Sequence, residues 1–80
     1  MDQSNKITFG TALDYLKEGK KMTRKGWNGK GLFVQAQFPD EHSKMRNPYL
    51  YINAESLGGT LNPWLPSQTD LFAEDWEIVE

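Results

Sequence analysis

The sequence predicts a small α+β domain: one short N-terminal amphipathic helix packed on a small, mainly antiparallel sheet, with a short helical turn near the C-terminus. Three observations predict it. Phe9, Ala12, Leu13 and Leu16 fall at i, i+3, i+4 and i+7, which is the apolar stripe of a helix. Short β-prone runs follow, separated by glycine, proline and asparagine turns. Eighty residues leave room for one domain only, expected over residues 7–80 behind a flexible tail at 1–6.

The helix is expected from Phe9 to Glu18, with Thr8 as N-cap, Lys17 in the last turn and Gly19 as the stop. Lys20 to Lys25 reads as a short strand with Met22 inward and the lysines outward, and Gly26 to Gly31 as a glycine-rich turn. Gly31 to Phe38 is the strongest strand, closed by Pro39. Asp40 to Pro48 is a polar loop. Tyr49 to Asn53 is the next strand, with Leu50 and Ile52 on one face and both tyrosines on the other. Leu57-Gly58-Gly59-Thr60-Leu61 predicts a hairpin turn into another short strand, and Asn62 to Pro66 a second turn. Ser67 caps a single helical turn through Asp70, Leu71 and Phe72. Asp75 to Val79 is the terminal strand, with Trp76 and Ile78 on one side.

Composition narrows the function. A domain of this size buries only about 60% of its unfolded surface, so a solitary core is marginal. The chain has no cysteine, which excludes disulfides, a thiolate metal site and a cysteine nucleophile. Oligomerisation is the remaining route to stability. Residues 1–39 carry seven Lys/Arg against three Asp/Glu, and residues 40–80 two against eight. The basic half suits an anionic partner such as phosphate, whereas the acidic half opposes a long nucleic acid across the whole surface. No apolar run reaches membrane-spanning length and the polar N-terminus is no signal peptide, so a cytoplasmic location and no membrane partner are expected.

No catalytic pattern stands out. His42 has no partner at ligand spacing and reads as a solvated loop residue. Asp70, Glu74 and Asp75 could supply paired carboxylates, but helix-dipole stabilisation and surface charge account for them as well. Neither a metal nor a cofactor is expected.

Two tryptophans carry the functional reading. Trp27 sits in Gly26-Trp27-Asn28-Gly29, and Trp64 in Asn62-Pro63-Trp64-Leu65-Pro66 ahead of Ser67-Gln68-Thr69-Asp70. Indoles held in turns beside amide, hydroxyl and carboxylate groups make a surface for a flat ligand. The same indoles could instead plug the core or pack between subunits, and the residues alone leave both readings open. Arg24 and Lys25 flank the Trp27 turn and are candidates for phosphate, although a charged strand edge that blocks aggregation is an equal account. Tyr49 and Tyr51 could line a pocket or a subunit interface.

The order FGTALDYLKEGKKMTRKGWNGKG, a strand, PYLYIN, a glycine turn and NPWLPSQTDLFAEDWEIV resembles the Thoeris anti-defence 2 sponges, a small phage and bacterial family once catalogued as a domain of unknown function. The resemblance covers roughly residues 7–79 and rests on two blocks, the helix to GWNG and PWLPSQTDLFAEDW. It implies a protein that binds and sequesters cyclic ADP-ribose isomers, the glycocyclic signals of a TIR-domain defence protein, without cleaving them. It also implies a homotetramer with pockets at subunit interfaces and, in some members, separate sites for cyclic oligonucleotides. Carried onto this chain, Trp27 and Trp64 are the stacking residues, and Asn28, Gln68, Thr69 and Asp70 the polar contacts. Arg24 and Tyr49 join the expected site from the reading of the residues themselves. The rival functions are a single-stranded nucleic-acid binder or other interaction module and, further off, a cyclic-nucleotide hydrolase.

Overall fold

The elements follow the chain in the order α1 (Phe9–Lys17), β1 (Lys21–Arg24), β2 (Phe33–Gln37), β3 (Tyr49–Asn53), a 3-10 turn (Glu55–Leu57), β4 (Leu61–Pro63), α2 (Gln68–Phe72) and β5 (Trp76–Val79). They come from a computed structural model that describes residues 6–27 and 31–79. Residues 1–5 of the tail expected at 1–6, and Asn28 in the GWNG turn, lie outside the described residues.

The five strands form one antiparallel sheet in the order β4-β3-β2-β1-β5. Strands β1 to β4 run as a meander, and β5 returns to the free side of β1, so β1 becomes interior. The registers Met22↔Val34, Met22↔Ile78, Val34↔Ile52 and Ala36↔Leu50 place one row of apolar side chains on a single face. Helix α1 covers that face. Ala12 and Leu16 are buried against Met22, Val34 and Trp76, with Phe9 and Leu13 partly buried around them. The predicted helical stripe is thus the seam of the domain.

Helix α1 begins where expected. Thr8 Oγ1 accepts the Thr11 amide at 3.4 Å, and Gly19 takes the left-handed φ of 93° that ends the helix after its Glu18 cap. Helix α2 carries a capping box: Ser67 Oγ accepts the Asp70 amide at 3.2 Å, and Asp70 Oδ2 accepts the Ser67 amide at 2.9 Å.

Three expectations needed correction. Strand β2 is shorter than Gly31–Phe38, because Gly31 turns with φ 85° and Phe38 is half exposed beyond the ladder. The segment before Gly58 forms a 3-10 turn, closed by a left-handed Gly58, in place of a bare hairpin turn. Asn62 and Pro63 belong to β4 instead of opening the next turn. Pro63 fits there because β4 is the sheet edge and a strand edge can spare an amide donor. Ile78 shares the Trp76 face as predicted, but it sits at the margin and stays 37% exposed.

Among the described residues, no helix covers the opposite face of the sheet. The register puts Lys21, Thr23, Phe33, Gln35, Tyr49, Tyr51, Pro63, Glu77 and Val79 there. Lys21 Nζ lies 4.9 Å from the Phe33 ring centroid, and Tyr51 donates its hydroxyl to Gln35 Oε1 at 3.0 Å.

Candidate functional site

The two blocks that framed Trp27 and Trp64 meet in space. The β1 end delivers Trp27, the segment after β4 delivers Trp64, and the first residue of β5 is Trp76. Their rings pack edge to face in a closed triangle, with centroids 6.2 Å apart for Trp27–Trp64, 5.5 Å for Trp27–Trp76 and 6.0 Å for Trp64–Trp76. The interplanar angles of 68°, 75° and 81° are those favoured by the ring quadrupole. Phe9 of α1 joins from the helix side, 5.7 Å from Trp76 and 6.4 Å from Trp64. Trp76 is 1% exposed and belongs to the core, as expected of a strand tryptophan, whereas Trp27 and Trp64 are half-buried. Packing and display therefore coexist: each turn tryptophan leans on the core and keeps part of its surface open.

An ionic node fastens this corner. Arg24 donates from Nε to Asp75 Oδ1 and from Nη1 to Asp70 Oδ1, both at 2.8 Å. Asp75 Oδ2 accepts the Gly26 amide at 2.8 Å. Asp70 Oδ2 accepts both the amide and the hydroxyl of Ser67 at 2.9 Å, and the Asp70 carbonyl accepts Trp76 Nε1 at 3.2 Å. Among the described residues no buried side-chain polar atom lacks a partner.

The node keeps its charges. Burial pushes the Asp70 carboxyl up, but the Ser67 amide, Arg24, the Ser67 hydroxyl and the Trp27 indole together hold it below the ordinary carboxylate value. Arg24 holds the Asp75 carboxyl down against a smaller opposing effect of burial, and the Gly26 amide adds to the lowering. The Arg24 guanidinium is pushed up, first by its bond to Asp75 and against the cost of burial. A carboxylate held low is a weak base, so these groups are poorly suited to proton abstraction at neutral pH.

Trp27 also lines a cleft of about 540 Å³ between β1, β5 and the start of β2, with Arg24, Lys25, Phe33, Glu77 and Ile78 among its other walls. That volume falls within the range of small-molecule sites. Lys25 pairs across its rim with Glu77 at 3.7 Å, where both side chains are well exposed.

The expected site residues divide. Arg24, Trp27, Trp64 and Asp70 come together in this corner. Gln68 and Thr69 are exposed on α2 next to Asp70. Tyr49 does not join them, since it stands on the uncovered sheet face, pairs with Gln37 and lines a separate cleft with Tyr51, Leu61, Asn62 and Pro63. Sequence reasoning placed Ser67 as the cap of α2 but missed its hold on the Asp70 carboxylate, and it missed the roles of Asp75 and Gly26. The capping box of Ser67 and Asp70 has a local signature that could have been followed further. The pairing of Asp75 with a residue 51 positions away has none. Among the described residues no cluster of His, Cys, Asp or Glu is placed to hold a metal ion, and no helix is long and apolar enough to cross a membrane.

This corner is assembled from both blocks on which the resemblance rests, and comparison with known proteins agrees with it. Residues 7–79 match the Thoeris anti-defense 2-like domain. The chain is also 38% identical over 85 residues to a protein of Bacillus phage SP01 named Thoeris anti-defense 2, covering 92% of this chain and 96% of that one. A match of that length, running through every element from α1 to β5, leaves one assignment: the chain belongs to the Thoeris anti-defense 2-like family.

Proposed function

We propose that the chain is an anti-defence protein of phage type that captures a cyclic ADP-ribose isomer in the host cytoplasm and holds it uncleaved. The observation that carries this reading is the convergence of the two family blocks on one half-open indole corner, beside a cleft of nucleotide size. Trp27 and Trp64 offer the faces on which adenine stacks, a contact worth on the order of 1–3 kcal/mol per base. Asn28, Gln68, Thr69 and Asp70 supply polar contacts to ribose, and Arg24 supports the phosphates. Arg24 already spends Nε and Nη1 on carboxylates, so its part is chiefly to hold the wall of the site.

Sequestration asks for tight binding and slow release, and for no stabilised transition state. The carboxylates of the corner suit that role because they stay ionised and engaged with Arg24. Assembly into a homotetramer would cover apolar surface that the monomer leaves open, including Leu65 at 89% and Phe72 at 80% exposure. It is also the route by which Tyr49, remote from the tryptophans within one chain, could reach a ligand at a subunit interface.

The test is recovery of the ligand. Incubation with a glycocyclic ADP-ribose followed by denaturation is expected to return it chemically unchanged and in stoichiometric amount. Return of a linear product would instead make the protein a hydrolase. Binding of a single-stranded oligonucleotide that collapses with salt, without capture of the cyclic nucleotide, would favour the nucleic-acid reading.

A further inference from the structure

Asp75 touches three consecutive residues of the strand end that leads into Trp27. Its backbone carbonyl accepts the Lys25 amide at 3.0 Å, its Oδ1 accepts Arg24 Nε at 2.8 Å, and its Oδ2 accepts the Gly26 amide at 2.8 Å. The turn is then closed by the Trp27 amide, which donates to the Arg24 carbonyl at 3.1 Å. The residue after Asp75 is Trp76, whose ring meets that of Trp27 at 5.5 Å. One dipeptide therefore holds both the backbone and the ring of Trp27.

Gly26 shows how tightly. A Cβ added there would stand 2.9 Å from Asp75 Oδ2, closer than real Cβ contacts allow. Gly26 does not belong to the positive-φ glycines, so its backbone would admit alanine. What requires glycine at this position is the approach of the carboxylate.

We propose that Asp75 is a positioning residue for the ligand site: its two carboxylate oxygens, shared between Arg24 and the Gly26 amide, preset the turn so that the Trp27 indole faces the cleft before a ligand arrives. This rests on the functional reading above for the ligand, and on the geometry alone for the turn. A preset indole spares the ordering cost that a mobile one would meet on binding, and so slows release. Asparagine at position 75 has one acceptor oxygen for two donors, so either Arg24 Nε or the Gly26 amide loses its acceptor, while Arg24 keeps Asp70.

The experiment compares D75N and G26A with the wild type and with E74Q, which removes the neighbouring charge from the exposed pair with Lys6. Each protein is held at a temperature where its far-ultraviolet circular dichroism is that of the folded chain. Two properties are read: the near-ultraviolet signal of the coupled indoles, and the release rate of a bound glycocyclic ADP-ribose. D75N and G26A are expected to change the indole signal and to release the ligand about tenfold faster, a change in off-rate of the kind that dominates affinity differences. E74Q is expected to match the wild type in both. Wild-type release from D75N and G26A overturns the proposal, whether or not the indole signal moves. If D75N does not fold, G26A decides alone, because it keeps the charge and disturbs only the approach to the amide. If the wild type captures no glycocyclic ADP-ribose, the functional reading falls separately. The indole signal then decides the turn: a change in both variants supports the preset geometry, and no change overturns it.

Discussion

The tryptophan corner and the β3–β4 end of the same sheet are held by different physics. At the corner, four aromatic rings and a doubly paired arginine lock together segments from both ends of the chain. At the β3–β4 end, three residue pairs join the strands, Leu57 and Leu61 are more than half exposed, and among the described residues Tyr51 donates its hydroxyl to Gln35. The difference teaches where an 80-residue chain concentrates its stability. The corner is cross-linked by side chains within one chain, whereas the far end relies on strand pairing; both leave apolar surface open, Leu65 and Phe72 beside the corner and Leu57 and Leu61 at the far end.

Substitutions should separate the two regions. The largest effect is expected from Trp76→Ala, which empties the centre of the ring cluster and removes the bond to the Asp70 carbonyl. A loss of about 3–5 kcal/mol, enough to unfold a domain of this size, should appear in denaturant titration.

Arg24→Ala comes next. It leaves Asp70 and Asp75 without their cation in a part-buried place, and a loss of about 2–3 kcal/mol is expected after allowance for solvent at Asp75. A loss below about 0.5 kcal/mol would place Arg24 among ordinary surface pairs.

Acid should attack the corner before the far end. The Asp70 and Asp75 carboxyls titrate below their unfolded value when folded. Their contribution is complete above the unfolded value of about 4 and is lost as the pH falls through the lower folded value. Indole fluorescence followed from pH 5 downward is expected to report that loss in the wild type, and Arg24→Ala is expected to flatten it.

Tyr51→Phe should be the mildest, costing about 1 kcal/mol or less through its one hydrogen bond to Gln35. Its signature is locality: thermal unfolding shifts slightly while the near-ultraviolet indole signal is unchanged. A shift as large as that of Arg24→Ala would erase the contrast between the regions.

Much of the fold was legible because it depends on local signals. The spacing of Phe9, Ala12, Leu13 and Leu16 marked the buried helix face, Thr8 and Ser67 marked both helix starts, and alternation separated Leu50 and Ile52 from Tyr49 and Tyr51. The edge position of Pro63 was not legible, since it depends on β4 having no neighbour on its far side. At the site, the sequence marked Trp27 and Trp64 as unusual from their turns but could not choose between display and packing. That choice depends on the return of β5 to β1, which brings Trp76 and Asp75 to Trp27. The role of Asp75 was illegible for the same reason, and Arg24 looked like a free cation because its partners are 46 and 51 residues away.

Native mass spectrometry with a glycocyclic ADP-ribose reads assembly and capture of the intact ligand together. A homotetramer that gains the mass of intact ligand is expected, together with a Trp27→Phe variant that assembles but retains less of it. An unliganded wild-type protein at saturating ligand, or one that carries only a cleaved product, would contradict that capture.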